Sequence, residues 1–133
     1  MARRYEVIIY DCARTYPELS APRLLASLST SERAKFAAIV EAVATAPPRN
    51  FAGGGYWEAL RGDLAGLHEI RFKGKDRWHL RFFCLLEDRL PPPQLVVLAA
   101  SKKRPGTLLP PSHYAKVRDL ADAFTRASSR PID

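Results

Sequence analysis

Apolar residues follow two different rhythms along this chain, helical in most of its first half and alternating from Leu67 onward. Tyr5 to Tyr10, rich in β-branched and aromatic residues, predicts a first strand ended by the turn-prone Asp11. Ser20 precedes a short helix over Pro22 to Leu28, with proline tolerated in its first turn. Ser29 and Glu32 have capping-box spacing, and Phe36, Ile39, Val40 and Val43 then share one helical face until Pro47-Pro48 stops it. Residues 47 to 55 hold two prolines and three consecutive glycines and predict a mobile loop, and Tyr56 to Leu60 predicts a helical turn.

The period of two predicts strands over about 67–73, 77–87 and 94–101, the last two separated by the stiff Leu90-Pro-Pro-Pro-Gln94. A final helix begins near Ser112 with Val117, Leu120, Ala121 and Phe124 inward, and residues 127–133 read as a flexible tail. The expected fold is one α+β domain over residues 1–133: a mostly antiparallel four-stranded sheet, an N-terminal helical hairpin on one face, and a C-terminal helix. The second sheet face is expected to be open for function.

Side-chain pattern also predicts how the second and third strands pair. A three-residue loop, Gly74-Lys75-Asp76, opposes Lys73 to Arg77, Arg71 to His79 and Glu69 to Arg81 on one face. Phe72 with Trp78, Ile70 with Leu80, and His68 with Phe82 then fill the other. A two-residue loop would mix Arg71 with Trp78 and Glu69 with Leu80, so the longer loop is expected. Like charges directly opposed destabilise a sheet, which favours an anion among them. An ordinary solvated face with a Glu69–Arg81 ion pair is the simpler alternative.

Charge strengthens the first reading. Lys plus Arg number 21 against 14 Asp plus Glu in 133 residues, a formal charge of +7, which suits a polyanion or an acidic partner, or solubility alone. Ser101-Lys102-Lys103-Arg104-Pro105 sets three cations in succession at a strand end, where they position phosphates or guard a sheet edge. His113 and Tyr114 open the last helix as a titratable group and a stacking ring, or simply as a solvated histidine and a packed tyrosine. Cys12 and Cys84 lie in unrelated segments and His68, His79 and His113 are scattered, so no metal or other cofactor is expected. The early apolar run Val7 to Tyr10 is too short for a signal-peptide core or a membrane span, and a cytoplasmic location is expected.

The stretch Leu64-Ala-Gly-Leu-His-Glu-Ile-Arg71, then Arg81-Phe-Phe, Leu95-Val-Val-Leu98, Lys102-Lys103 and a proline-led final helix resemble, in that order, the RelE/ParE toxin superfamily. The HigB-like, phage-derived branch is the nearest likeness, and the motif region runs from about Tyr56 to Phe124. The resemblance implies a RelE-like fold and the toxin of a bacterial type II toxin–antitoxin pair: a metal-independent endoribonuclease cleaving mRNA on the ribosome. It assigns Arg71 and Arg81 to phosphate stabilisation, and Lys102 and Lys103 to RNA positioning or, with a depressed pKa, to acid or base. The strand register and the charge cluster add Lys73, Arg77, His79 and Arg104 as RNA-binding candidates, and His113 or Tyr114 is the candidate for an acid, base or stacking role. An acidic antitoxin, a helix-turn-helix protein, is the implied partner. Alternatives are a ParE-like inhibitor of DNA gyrase, which cuts no RNA, and a phage remnant that merely binds nucleic acid. The aromatic residue usual before the twin lysines is replaced by Ala99-Ala100-Ser101, and the usual acidic residue early in the last helix by His113.

Overall fold

The computed structural model describes residues 2–47, 55–89 and 91–128. Most of the expected glycine-rich loop (48–54), Leu90 and the tail from 129 to 133 lie outside the described residues. Strand β1 (Glu6–Ile9) leads to α1 (Ala21–Ser27) and α2 (Thr30–Thr45), then β2 (Trp57–Ala59), β3 (His68–Lys73), β4 (His79–Glu87), β5 (Gln94–Lys103) and α3 (Pro111–Ser128).

The helix starts follow from local chemistry. Ser20 Oγ accepts from the Arg23 amide at 3.3 Å and donates to Asp11 at 2.9 Å, satisfying an orphan N–H of α1. Ser29 and Glu32 form the expected reciprocal box at the start of α2, with bonds of 3.2 and 2.9 Å. Phe36, Ile39, Val40 and Val43 are all buried, each contributing roughly 1.5–3 kcal/mol. Residues 127 and 128 continue α3 rather than beginning a tail.

The sheet has five strands in the order β1-β5-β4-β3-β2, where four were expected. β1 runs parallel to β5 and every other neighbouring pair is antiparallel, so the sheet is mixed. The fifth strand is β2, where the sequence predicted a helical turn. Trp57 is 1% exposed, stacks on His68 with ring centroids 4.6 Å apart, and pairs with Ile70, so packing overrides a three-residue pattern too short to show a period.

Helices cover both faces. α1 and α2 bury Ile70, Phe72, Leu80, Phe82, Leu95 and Val97, whereas α3 packs on Phe83, Val96, Leu98 and Ala99. A bulge between Phe83 and Cys84 turns Leu98 and Ala99 toward the same side. The second face is therefore not left open: α3 takes its apolar part, and the polar end of β3, β4 and β5 remains uncovered. The β5 run 95–100 is buried throughout because both of its faces are covered. Cys12 and Cys84 are both buried free thiols, and burial pushes the Cys84 thiol far up. Among the described residues no helix is long and apolar enough to cross a membrane.

Candidate phosphate-binding cleft

The β3–β4 hairpin closes with a longer turn than a three-residue loop. Residues 75–77 form a 3-10 turn in which Asp76 and Arg77 adopt positive φ, so Lys73 opposes His79 and Arg71 opposes Arg81. The expected register is thus displaced by two residues. An even displacement keeps every side chain on its face, so the polar row survives while its partners change. Glu69 opposes Phe83 rather than Arg81, and Arg77 leaves the row for the exposed turn. On the apolar face, Phe72 opposes Leu80, Ile70 opposes Phe82, and His68 opposes Cys84.

Strand β5 completes the lattice. His79 opposes Lys103, and Arg81 opposes Ser101. Lys73, His79 and Lys103 thus form one cross-strand row beside a second made of Arg71 and Arg81. Together with Gly55 and Phe72 they line a cleft of about 310 Å³. Five of its seven lining residues carry cationic or titratable nitrogen.

Glu69 lies beneath these cations, its side chain 3% exposed. Its oxygens lie 3.6 Å from Arg81 Nη1 and 3.8 Å from Arg71 Nη1, ion pairs too long for hydrogen bonds. Burial holds its carboxyl above the ordinary 4.5, against the pull of Arg81 and then Arg71. Arg71 is also paired with Glu58 and donates through Nε to the Gly55 carbonyl at 3.5 Å. Glu69 Oε2 and Arg81 Nε are buried and have no hydrogen-bond partner among the described residues. Burial, followed by Lys103, Lys73, Arg81 and Arg71, holds His79 below its ordinary value of 6.5, so it is neutral at pH 7.

Five of the ten residues the sequence points to, Arg71, Arg81, Lys73, His79 and Lys103, meet in this cleft. The twin lysines separate. Lys102 opposes Leu80, on the face packed by α2, and its Nζ lies 4.6 Å above the Trp78 ring. Arg104 stacks on the same ring at 3.9 Å. His113 and Tyr114 are not among the cleft's lining residues. Tyr114 meets Phe83 edge-on at 6.4 Å and borders a separate hollow with Leu60, Arg61, Asp63 and Leu64. His113 sits near Glu18, whose carboxyl is held down first by Lys116 and, more weakly, by His113. Glu58 was not selected from the sequence. Its signal is its place opposite Glu69, which appears only once β2 is recognised as a strand.

Comparison with protein-family models, curated proteins and solved structures finds no match.

Proposed function

We propose that this chain is an endoribonuclease acting on translated mRNA, the toxin of a bacterial type II toxin–antitoxin pair, and that the cleft receives the scissile phosphate. One observation carries the reading: Arg71, Arg81, Lys73, His79 and Lys103 converge on one cleft over a buried carboxylate, an arrangement that costs energy unless an anion enters it. The order of motifs shared with the RelE/ParE superfamily supports the toxin role.

Arg71 and Arg81 hold the phosphate and stabilise the charge that builds on it. The ribose 2′-hydroxyl gives its proton to the neutral imidazole of His79 as O2′ bonds to phosphorus. The P–O5′ bond breaks, and the leaving oxygen takes a proton from the Lys103 ammonium at the cleft rim. The products are a 2′,3′-cyclic phosphate and a free 5′-hydroxyl, after which solvent resets His79 and Lys103. Glu69 and Glu58 are positioning residues, one beneath both arginines and one beside Arg71. This scheme moves acid–base work from His113 and Tyr114 to cleft residues. An acidic antitoxin over the cleft would neutralise the same cations.

The test is purified protein added to a translating extract. Wild type cuts the mRNA and leaves cyclic-phosphate ends, and a 2′-deoxy substitution at the cut position blocks cleavage. Arg71→Ala and Arg81→Ala each lower the rate by about 100-fold or more while the circular dichroism spectrum stays native. Undiminished cutting by the double variant, or DNA damage in place of translational arrest on induction, would refute the reading and favour a gyrase inhibitor.

A further inference from the structure

The three successive cations at the end of β5 serve two faces of the sheet. Alternation along a strand sends Lys103 into the cleft and Lys102 to the opposite side. There Trp78 is half-buried, packed against the core formed with α1 and α2, with Lys102 and Arg104 over its ring. Arg104 is fixed in that position by donating to the Asp76 carbonyl at 2.7 Å. Cations also occupy the turn between the two faces, where Lys75 and Arg77 are exposed. Among the described residues, no carboxylate oxygen lies within ion-pair distance of Lys73, Lys75, Arg77, Lys102, Lys103 or Arg104. The acids nearest this end are otherwise engaged or few: Glu32 caps α2 and accepts from the Lys75 amide, leaving Asp76 in the turn.

We infer that a second stretch of the RNA strand held in the cleft passes round this sheet end and binds the opposite face on a platform of Trp78, Lys102 and Arg104. The inference rests on the proposed RNA-cutting role of the cleft. It adds a phosphate-and-base subsite on a different face. A strand of RNA fits the surface because its charge repeats at every nucleotide, matching cations without ion pairs that run from Lys103 and Lys73 past the turn residues Lys75 and Arg77, with Asp76 between them, to Lys102 and Arg104. Arg104 is exposed and lies over the Trp78 ring, so the outer plane of its guanidinium suits a stacked base or ribose. The substrate class implied is an extended single strand, longer than the few nucleotides that the cleft alone holds.

The experiment compares a trinucleotide with a single-stranded RNA of about 16 nucleotides, using the full chain and a range of salt concentrations. Lys102→Gln with Arg104→Gln weakens the longer RNA about tenfold and makes log K against log salt shallower by about 1.4, two phosphate contacts at ~0.7 each. Trinucleotide affinity stays at the wild-type value. Arg14→Gln with Arg23→Gln removes equal charge from exposed positions elsewhere and leaves both RNAs at wild-type affinity and slope. Trp57 is buried, so quenching of tryptophan emission by the long RNA alone reports Trp78, and Trp78→Phe abolishes it. Equal weakening of both RNAs, or an unchanged slope, overturns the inference; the latter would return the patch to an acidic protein or to solvent. Failure of the cleft reading is a separate result: Arg71→Gln with Arg81→Gln would then leave trinucleotide binding intact while the Lys102/Arg104 effect persisted.

Discussion

Glu69 sets the electrostatic character of the cleft, because it lies against both Arg71 and Arg81 and is almost wholly buried. Burial raises its carboxyl pKa above the unfolded value, so between 4.5 and the higher folded value the native state binds more protons than the unfolded chain. Stability contributed by this group is therefore full below 4.5 and is lost as pH rises through the folded value. Urea melts from pH 4 to 8 should show Glu69→Gln gaining on wild type as pH rises through that window, then holding a constant lead. If wild type instead gains on the variant, attraction to Arg81 and Arg71 outweighs burial. The same substitution should slow cleavage, since the carboxylate no longer orients the two arginines. Selection of Arg71, Arg81, Lys73 and His79 was possible from alternation alone, because a strand's period fixes faces without knowledge of partners. His113 and Tyr114 failed that test: a helix start carries no register against a sheet, and Tyr114 packs on Phe83 instead of entering the cleft.

At the scale of elements, the β3–β4 turn explains both what sequence could predict and what it could not. Alternation determined which side chains share a face, but the number of residues in the turn depended on Glu32, forty-three positions from Lys75, accepting the Lys75 amide at 2.9 Å. No local pattern reports that contact. Gly74 makes room for it, since a Cβ there would stand 2.1 Å from Glu32 Oε2 and 2.9 Å from Leu80 Cδ1. Gly74→Ala should therefore cost about 1–2 kcal/mol, the scale of a lost cap or hydrogen bond, and Glu32→Ala a similar amount. The two changes should not add. Removing the carboxylate first relieves the worse collision, so a double-mutant cycle by chemical denaturation should give a coupling of at least about 0.5 kcal/mol. Strict additivity would mean that Glu32 does not hold the turn. The helices were easier to read because their caps are local: Ser20, Ser29 and Glu32 lie within three residues of the groups they satisfy. Strand β2 carries no such local signal, being three residues long and defined by its pairing with β3 and the stacking of Trp57 on His68.

Across the whole molecule, the helices on both faces divide the work of the sheet. α1, α2 and α3 cover its apolar area, and the uncovered end collects cations in excess of its acids: Arg71 and Arg81 share Glu58 and Glu69, while among the described residues Lys73, Lys75, Arg77, Lys102, Lys103 and Arg104 have no ion pair, consistent with the net charge of +7. Such a cluster is held together by a fold stabilised elsewhere, so the native state should carry a repulsive cost that an oxyanion relieves. Sulfate or inorganic phosphate should raise the melting temperature beyond what chloride does at equal ionic strength, because screening acts alike for both while occupancy of the cleft does not. An anion at ten times its dissociation constant adds about 1.4 kcal/mol, which for a domain of this size corresponds to about 3–5 °C. Arg71→Gln with Arg81→Gln should remove the difference between anions, whereas Lys102→Gln with Arg104→Gln should leave most of it, since those side chains lie on the other face. Equal shifts from chloride and phosphate in wild type would mean that the cleft holds no discrete oxyanion. In that case the cations act only as a diffuse field that draws polyanions to this end of the sheet.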